Sequence, residues 1–441
     1  MAKAHYVCQQ CGYSQVGWAG KCPNCDSWGT LVETQVETKK GKKGKSKVTS
    51  SKPKSLTSIK KKVTSRVSTK ISELNRVLGG GLVPGQVVLL AGDPGIGKST
   101  ILLQVADKLA TKTMSTLYVS GEESAQQIKV RGDRMAISSK NIKLLEETSV
   151  EAIIATIEGL VDDGDKPRMV VIDSIQTMVT EDLTGMAGSV GQVRECAYRL
   201  SKIAKRNDIP LFMVGHVTKE GTVAGPAVLS HLVDTVLWFE GDKALTLRLL
   251  RAVKNRFGAT DEVGIFEMED KGLNPIGSPE KLFLTKAKEN VPGSVISSML
   301  QGTRPILIEI QSLVVPSKLA YPKRVAQGID SKRLELLLAV LQKRAGLPLY
   351  EFDVFVNVAG GINVKEPAVD LAICLSIASS YLDKAIKGNV VAVGEVGLLG
   401  EIREVVAQGK RIKESKRLGY KNVISSSEVK YIRQAIKKYF K

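Results

Sequence analysis

The sequence predicts an α/β protein with a mainly parallel sheet at its centre, preceded by a small cysteine-rich unit and followed by a second α/β region. Three observations predict this plan. Two cysteine pairs lie close together near the start, short apolar runs alternate with amphipathic stretches from 66 to 272, and a further alternating region follows. Apolar runs of about four to eight residues between helical patterns are typical of parallel strands covered by helices.

The composition divides the 441 residues into domains and connections. We expect a metal-binding unit at 1–33, a basic flexible linker at 34–65, a sheet-centred domain at 66–272, a connector at 273–284 and a second α/β domain at 285–441. The linker is rich in lysine and has few large apolar residues, so it cannot pack a core.

The formal net charge of +19 favours a polyanionic partner, either nucleic acid or an acidic membrane surface, although the lysine-rich linker supplies part of it. The chain has no apolar run near the ~20 residues that span a bilayer. Its first residues, MAKAHYVCQQCGY, lack the apolar core of a signal peptide. We therefore expect a cytoplasmic protein that does not insert into a membrane.

The first candidate site is the pair of motifs 8-CQQC-11 and 22-CPNC-25. Cys8, Cys11, Cys22 and Cys25 have the spacing of a tetrahedral Zn²⁺ site, and four thiolate ligands leave no open position for catalysis. The alternatives are four free thiols or a redox CxxC motif. Two further cysteines, Cys196 and Cys374, are isolated in apolar helical patterns, where we expect core residues.

The second candidate site is 89-LLAGDPGIGKST-100, in which a strand, a glycine-rich loop and a helix start follow one another. It matches the Walker A pattern in full. Lys98 is expected to reach the β- and γ-phosphates of ATP, and Ser99 to ligate Mg²⁺. The predicted nucleotide-binding residues are Gly92, Asp93, Pro94, Gly95, Ile96, Gly97, Lys98, Ser99 and Thr100.

Acidic residues at the ends of two other apolar runs could complete this site. In 169-MVVIDS-174, Asp173 fits a carboxylate that holds Mg²⁺. In 118-YVSGEES-124, Glu122 is the first choice to orient or deprotonate the attacking water, although Glu122 and Glu123 could instead cap the next helix. His216 ends another apolar run, where it could sense the γ-phosphate or be a structural histidine.

A basic turn, 254-KNRFG-258, follows the apolar run 245–253, which reads as a buried strand. Lys254 and Arg256 are two residues apart, so they share an orientation along an extended run. Phe257 and Gly258 can fix the backbone after them. The alternatives are a solvated basic hairpin, a contact with DNA phosphate, and a contact with bound nucleotide.

Several motifs occur together in the chain: the two cysteine pairs, the segments GDPGIGKST, VSGEES and VVIDS, and the turn Lys254-Asn255-Arg256-Phe257-Gly258. In this combination they resemble the RadA (Sms) family of bacterial DNA repair proteins. The resemblance covers essentially the whole chain. It implies a RecA-like ATPase core in a hexameric ring. Such a ring moves on single-stranded DNA and processes or branch-migrates recombination intermediates with RecA. By the same resemblance, the stretch 217–231 corresponds to a DNA-contacting loop, and Lys219 is its candidate contact; the alternative is a plain surface loop.

The region 285–441 resembles the proteolytic domain of Lon, which uses a nucleophilic serine and an activating lysine. In this alignment Ala368 stands at the serine position and Gly409 at the lysine position, with Lys410 one residue away. Ser376 and Ser379 lie downstream in an apolar helical pattern. We therefore predict no proteolysis. The candidates for a DNA-facing surface, or alternatively a solvated face, are Lys318, Lys323, Arg324, Lys332 and Arg333.

The leading hypothesis is a DNA-dependent ATPase and helicase-like motor, in which Lys254 and Arg256 act on ATP bound to the adjacent subunit. An arginine supplied in trans is a recurrent device of phosphoryl transfer. The alternatives are an ATP-dependent Lon-type protease and a DNA-binding scaffold that is switched by ATP.

Overall fold

The chain folds into two compact units, Met1–Gly277 and Ser278–Lys441. The computed structural model describes residues 4–8, 13–24, 26–35, 65–216, 226–241, 247–277, 284, 291–386 and 388–440. The strand Gly272–Pro275 belongs to the first unit, so its sheet extends into the stretch predicted as a connector.

The N-terminal part of the described chain contains a small antiparallel sheet with the order β2-β1-β3. Its strands are β1 (Ala4–Cys8), β2 (Ser14–Gln15) and β3 (Leu31–Gln35). Cys8, Cys22 and Leu31 are buried together beneath it. Trp18 and Trp28, between β2 and β3 in the chain, are 67% and 75% exposed and present large aromatic side chains to solvent.

A mixed sheet of nine strands, counted over the described residues, forms the centre of the first unit, in the order β12-β11-β10-β9-β4-β8-β7-β5-β6. Its strands are β4 (Val87–Gly92), β5 (Thr116–Ser120), β6 (Ile142–Glu146), β7 (Val170–Asp173), β8 (Leu211–His216), β9 (Thr235–Glu240), β10 (Leu247–Asn255), β11 (Val263–Glu269) and β12 (Gly272–Pro275). β4 to β9 pair in parallel, which confirms the predicted parallel centre.

The strands β9 to β12 pair antiparallel at one side of this sheet. The prediction of a buried strand at 245–253 is therefore wrong in one respect, because β10 is only half-buried and Val253 is 63% exposed. Antiparallel strands can leave one face to solvent, whereas parallel strands are usually covered on both faces.

Helices pack on both faces of the central sheet. They are α1 (Ser72–Leu78), α2 (Lys98–Leu109), α3 (Ala125–Arg134), α4 (Val150–Asp162), α5 (Val190–Arg206) and α6 (Pro226–Leu229). Phe212 lies in one apolar layer with Leu102, and its neighbour Met213 lies in the other with Cys196. Alternate residues of β8 are thus buried on opposite faces, and Cys196 is a core residue as predicted.

The parallel register brings the carboxyl ends of four strands to one edge of the sheet. Gly92 at the end of β4 pairs with His216 at the end of β8, and Ser120 at the end of β5 pairs with Asp173 at the end of β7. The stretches that the sequence assigned to phosphate, metal and water therefore meet at this edge.

The second unit contains a mixed sheet with the order β15-β16-β14-β13-β17-β20 and a separate hairpin, β18-β19. Its strands are β13 (Ser294–Gln301), β14 (Arg304–Pro316), β15 (Arg324–Gln327), β16 (Phe352–Val358), β17 (Val390–Ala392), β18 (Glu395–Val396), β19 (Ile402–Arg403) and β20 (Asn422–Ile424). Its helices are α7 (Ser331–Val340), α8 (Asp370–Leu382), α9 (Gln408–Arg417) and α10 (Ile432–Tyr439). Cys374 on α8 is fully buried, as predicted.

None of the helices in the described parts of the chain combines the length and the apolar character needed to cross a bilayer.

Candidate functional site

The phosphate loop joins the end of β4 to the start of α2. Gly92 and Gly97 have φ angles of 155° and 113°, which favour glycine. A Cβ atom on Gly92 would lie 2.5 Å from the carbonyl oxygen of Phe239, and one on Gly97 would lie 2.7 Å from the Met268 side chain. The loop leads directly into the amino end of α2, where backbone N–H groups that have no partner within the helix favour anions.

Lys98, the first residue of α2, is 4% exposed. Its ammonium group donates to the carbonyl oxygens of Gly92 and Asp93 at 2.8 and 3.0 Å. Burial lowers the pKa of Lys98, whereas the nearby Asp173 and Glu122 carboxylates favour its charged form. The loop thus holds a buried cation beside two carboxylates.

Asp173 ends β7 and is 7% exposed. The phenol of Tyr118, a fully buried residue of β5, donates a hydrogen bond to Asp173 Oδ2. Burial, reinforced by the Asp173 carboxylate, raises the pKa of Tyr118 well above its ordinary value, so the phenol stays protonated. Sequence reasoning missed Tyr118, because it reads as an ordinary apolar-strand residue.

Glu122 faces the same edge of the sheet and is 43% exposed. Its Oε1 accepts a hydrogen bond from the Ser174 hydroxyl and lies 3.5 Å from His216 Nε2. The neighbouring His216 ring, and then the hydrogen bond from Ser174, lower the pKa of Glu122 to about 2, although partial burial acts in the opposite direction. Glu122 is therefore ionised at neutral pH.

Glu123 is directed elsewhere, although it is the next residue. Its carboxylate pairs with Arg131 of α3 at 2.7 Å, and its backbone N–H donates to the Ser120 hydroxyl at 3.0 Å. The helix-capping alternative applies to neither glutamate, because Ser124 and Gln127 form the capping box of α3. Of the two carboxylates, Glu122 is the one that shares its surroundings with Lys98.

His216 ends β8 with its ring beside Glu122, and its backbone is held in turn by Gln176. The Gln176 side-chain amide donates to the His216 carbonyl oxygen at 3.3 Å. Gln176 is 9% exposed, and sequence reasoning did not single it out. The histidine thus contacts the candidate water-orienting residue; its role as a γ-phosphate sensor stays a prediction.

The residues present fit a Mg²⁺–nucleotide complex. Ser99, which follows Lys98 on α2, offers a hydroxyl. Asp173, at the end of β7 and at the same edge of the sheet, offers a carboxylate. Mg²⁺ prefers oxygen ligands and is commonly held by one or two such protein groups together with the phosphates of its substrate.

The turn 254–258 lies at the opposite edge of the sheet from the phosphate loop. Asn255 at the end of β10 pairs with Thr235 on β9, which pairs with Val88 near the start of β4. Gly92 is at the other end of that strand, about 13 Å away at roughly 3.3 Å per residue. Lys254 and Arg256 are therefore remote from the phosphate loop of their own chain.

The two basic side chains of this turn differ in their contacts. The Lys254 ammonium donates to the carbonyl oxygens of Ser230 and Val233 at 2.7 and 2.9 Å, and burial lowers its pKa. Arg256 Nη1 lies 3.1 Å from the buried Asp234 carboxylate, while its side chain remains 55% exposed. In this conformation Lys254 is turned towards its own chain, so Arg256 is the more accessible cation.

The backbone of the turn is rigidly framed. The Asn255 side-chain oxygen accepts from the Phe257 N–H at 3.0 Å, and Arg66 donates to the Phe257 carbonyl at 2.5 Å. A Cβ atom on Gly258 would lie 3.1 Å from the Gly79 Cα, so the chains approach closely here. Sequence reasoning predicted a shaped turn but did not identify Arg66.

Three predicted residues, Cys11, Cys25 and Lys219, lie outside the described residues. The other two candidate zinc ligands, Cys8 and Cys22, are 1% and 0% exposed, and Cys8 Sγ is 3.2 Å from the Thr30 hydroxyl. Two buried thiols at the base of a small sheet fit a structural metal site.

In the second unit, Ala368 is 2% exposed and offers no nucleophilic atom. On one side of it, Glu366 pairs with the fully buried Arg411, with its Oε2 2.5 Å from Arg411 Nη2. On the other side, Asp370, 1% exposed, accepts from Arg333 Nε at 3.0 Å. Two ion pairs thus flank Ala368, the residue that the sequence analysis aligned with the serine of Lon.

The other polar residues near this position serve the fold. Gly409 and Lys410 lie in the first turn of α9. Ser376 is buried with its hydroxyl 2.6 Å from that of Ser312, and the Ser379 hydroxyl accepts from the Gly293 N–H at 2.9 Å. Both serine hydroxyls are therefore engaged in hydrogen bonds within the fold.

Two of the five candidate DNA-facing residues are corrected by the structure. The guanidinium of Arg333 is bound to buried Asp370, and that of Arg324 donates to backbone carbonyls, including that of Leu349 at 2.8 Å. Both cations are committed to internal contacts. Lys318, Lys323 and Lys332 are exposed, and their contact with DNA stays a prediction.

Comparison with known proteins agrees with this geometry. Residues 53–222 match the AAA domain family, and residues 6–33 match the rubredoxin metal binding domain family. The first match supports ATP binding and hydrolysis, and the second supports metal binding by the cysteine-rich unit.

Several curated relatives extend over nearly the whole chain. The DNA repair protein RadA of Bacillus subtilis (strain 168) is 49% identical over 96% of this chain and 92% of its own length. The DNA repair proteins RadA of Pseudomonas aeruginosa and Halalkalibacterium halodurans are 48% and 47% identical over the same shares. These matches confirm the resemblance noted in the sequence: the chain belongs to the RadA family of DNA repair proteins.

Proposed function

We propose that the chain is a DNA-dependent ATPase that acts in the cytoplasm as a helicase-like motor in recombinational repair. It processes or branch-migrates recombination intermediates together with RecA. The observation that carries this proposal is the position of its charged groups. Lys98, Asp173 and Glu122 meet at one edge of the central sheet, and Arg256 lies exposed at the opposite edge.

At the first edge, each side chain has a distinct part in phosphoryl transfer. Lys98 binds the β- and γ-phosphates, and Ser99 and Asp173 hold Mg²⁺, which when bound neutralises charge on the phosphate oxygens. Glu122 accepts a hydrogen bond from the attacking water. Because its pKa is about 2, Glu122 is a weak base at neutral pH, so it orients the water more than it removes a proton.

At the opposite edge, Arg256 acts on ATP bound to the neighbouring copy in a homohexameric ring. A head-to-tail ring brings one edge of each subunit to the other edge of the next. Arg256 would exchange Asp234, its present partner, for the γ-phosphate of the neighbour. Until that exchange, the hydrogen bonds from Lys254 to the carbonyl oxygens of Ser230 and Val233 hold the turn in its present conformation. DNA phosphate is the second candidate ligand for these cations.

Single-stranded DNA is the proposed track, and residues 217–231 with Lys219 are its proposed contact. This stretch follows His216 directly in the chain, and His216 lies 3.5 Å from Glu122. A contact with DNA at that stretch would be next in the chain to His216, whose ring lies beside the water-orienting carboxylate. This connection supports DNA-stimulated hydrolysis.

The N-terminal unit is proposed to bind structural Zn²⁺ through Cys8, Cys11, Cys22 and Cys25, and to dock RecA. Its exposed Trp18 and Trp28 lie on either side of Gly20, whose Cβ position is 3.8 and 3.5 Å from the two rings. Tryptophans are over-represented among the residues that dominate protein interfaces.

Directional strand displacement tests the motor proposal against the ATP-switched scaffold. The native chain is given a forked DNA with either ATP or a non-hydrolysable analogue. A motor releases the displaced strand with ATP but not with the analogue, and only when it starts from one end of the DNA. Equal release with both nucleotides, or release without direction, would support the scaffold.

Cys22→Ala and Cys8→Ala are each expected to remove bound zinc and unfold the N-terminal unit while leaving the ATPase sheet folded. The reason is that structural zinc contributes folding free energy to small domains directly. Elemental analysis gives the zinc content, and circular dichroism follows the sheet. Cys196→Ala, which removes a buried thiol from α5, should keep full zinc content. Full zinc content in both Cys8→Ala and Cys22→Ala would contradict the assignment.

The native chain is expected to show no ATP-dependent peptide cleavage, and Ala368→Ser alone is not expected to create it. A serine at that position would lack an activating lysine, because Gly409 stands at the lysine position and Arg411 is committed to Glu366. A fluorogenic peptide assay, with a Lon protease run in parallel, measures this. Cleavage that co-purifies with the native chain through successive columns would favour the protease alternative.

A further inference from the structure

The hydrogen bond between Tyr118 and Asp173 is a feature that phosphate binding does not itself require. Tyr118 is fully buried within β5, one strand away from Asp173 in the sheet. Its pairing partner on β7 is Val171, two residues before Asp173. The phenol oxygen reaches along the sheet to Asp173 Oδ2 and meets the carboxylate at the point where β7 ends.

Packing alone does not explain a tyrosine at this position. The surrounding apolar layer includes Phe212, Leu102 and Ile128, and a phenylalanine would fill the same space without a polar atom. Burying a hydroxyl is unfavourable unless it is hydrogen-bonded. The hydroxyl of Tyr118 is therefore explained by its hydrogen bond to the Asp173 carboxylate.

We propose that Tyr118 is a positioning residue that orients the Asp173 carboxylate towards Mg²⁺. This inference rests on the proposed role of Asp173 in holding the metal. The hydrogen bond engages Oδ2 and leaves Oδ1 for the metal or for a water bound to it.

The expected consequence concerns metal affinity more than nucleotide affinity. A group that orients a metal-holding carboxylate typically contributes roughly tenfold to a hundredfold in metal affinity or activity. Lys98 and the glycine-rich loop contact the phosphates independently of Tyr118. Loss of the hydroxyl should therefore weaken metal binding in the nucleotide complex and leave metal-free ADP binding near its native value.

The test is Tyr118→Phe in the full chain, with Mn²⁺ as the probe. Binding of Mn²⁺ to the ADP-loaded protein is followed by the electron paramagnetic resonance signal of free Mn²⁺. We expect Mn²⁺ to bind about tenfold more weakly, and the Mg²⁺ concentration for half-maximal hydrolysis to rise in parallel. Tyr198→Phe removes a phenol from α5 that is 51% exposed, and it should behave as the native chain does.

A double-mutant cycle with Asp173→Asn shows whether Tyr118 acts through Asp173. If it does, adding Tyr118→Phe to Asp173→Asn should weaken Mn²⁺ binding by less than about twofold more. An undiminished further loss would overturn the positioning role, and so would native Mn²⁺ affinity in a folded Tyr118→Phe. Thermal melting establishes folding, and Tyr118→Leu, which also lacks the hydroxyl, repeats the test if Tyr118→Phe melts early.

The same data separate this inference from the proposal on which it rests. If Asp173→Asn leaves Mn²⁺ affinity unchanged, the metal-holding role of Asp173 is wrong. If Asp173→Asn weakens Mn²⁺ binding and Tyr118→Phe does not, only the positioning role of Tyr118 is wrong.

Discussion

Lys98→Ala is expected to abolish ATP hydrolysis and DNA strand displacement while the chain stays folded. Lys98 is the buried cation of the phosphate loop, and removing it leaves the charge that develops on the transferred phosphoryl group without its principal partner. Loss of one such stabilising group commonly lowers kcat by roughly 10²–10³-fold. Phosphate release in the presence of single-stranded DNA measures the effect.

Two controls sharpen this result. Lys108→Ala removes an exposed lysine from the last turn of the same helix, so it should retain native turnover. Nucleotide binding by Lys98→Ala should weaken but remain measurable, because the loop amides still contact the phosphates. Near-native hydrolysis by a folded Lys98→Ala would contradict the assignment of the phosphate loop.

Arg256→Ala is expected to bind ATP and DNA but to lose DNA-stimulated hydrolysis and branch migration. Arg256 is remote from its own phosphate loop, so we expect its effect on hydrolysis to come through the neighbouring subunit. An arginine supplied in trans accelerates phosphoryl transfer by roughly 10³–10⁵-fold in well-studied cases. Arg251→Ala removes an arginine from β10, which leads into this turn; Arg251 is paired with Glu240, so this variant is the matched control and should retain stimulation.

Mixing Arg256→Ala with Lys98→Ala protein tests the in-trans mechanism directly. Each variant alone should show no DNA-stimulated hydrolysis. In mixed rings, an intact phosphate loop from one variant can meet an intact arginine from the other, so part of the hydrolysis should return. Native mass spectrometry of differently tagged subunits verifies mixing. Background hydrolysis in verified mixed rings would mean that Arg256 does not act across the interface, and it would favour DNA phosphate as its ligand.

Local patterns in the sequence were sufficient for the parts of the site that are contiguous in the chain. The Walker A loop follows from its own residues, and Asp173 follows from the apolar run before it. The choice between Glu122 and Glu123 could not be made in this way, since both follow the same strand. It depends on Arg131, which lies on the next helix and pairs with Glu123.

The contacts that sequence reasoning missed join residues distant in the chain. The hydrogen bond between Tyr118 and Asp173 forms only because β5 and β7 are neighbours in the sheet. Arg66 and Phe257 form a hydrogen bond although they are 191 residues apart in the chain. A count of charges likewise cannot show which cations have internal partners. Arg333 therefore read as a surface residue, although Asp370 holds it.

The ion pair between the fully buried Arg411 and the partly exposed Glu366 bears on the stability of the second unit. Removing one partner of a buried ion pair typically costs about 3–5 kcal/mol, because the other charge is left uncompensated. Arg411 lies on α9 and Glu366 just before α8, so one charge pair ties these two parts of the second unit together. Loss of the Glu366 carboxylate would leave the Arg411 guanidinium buried without its ionised partner, and this end of the unit would lose stability.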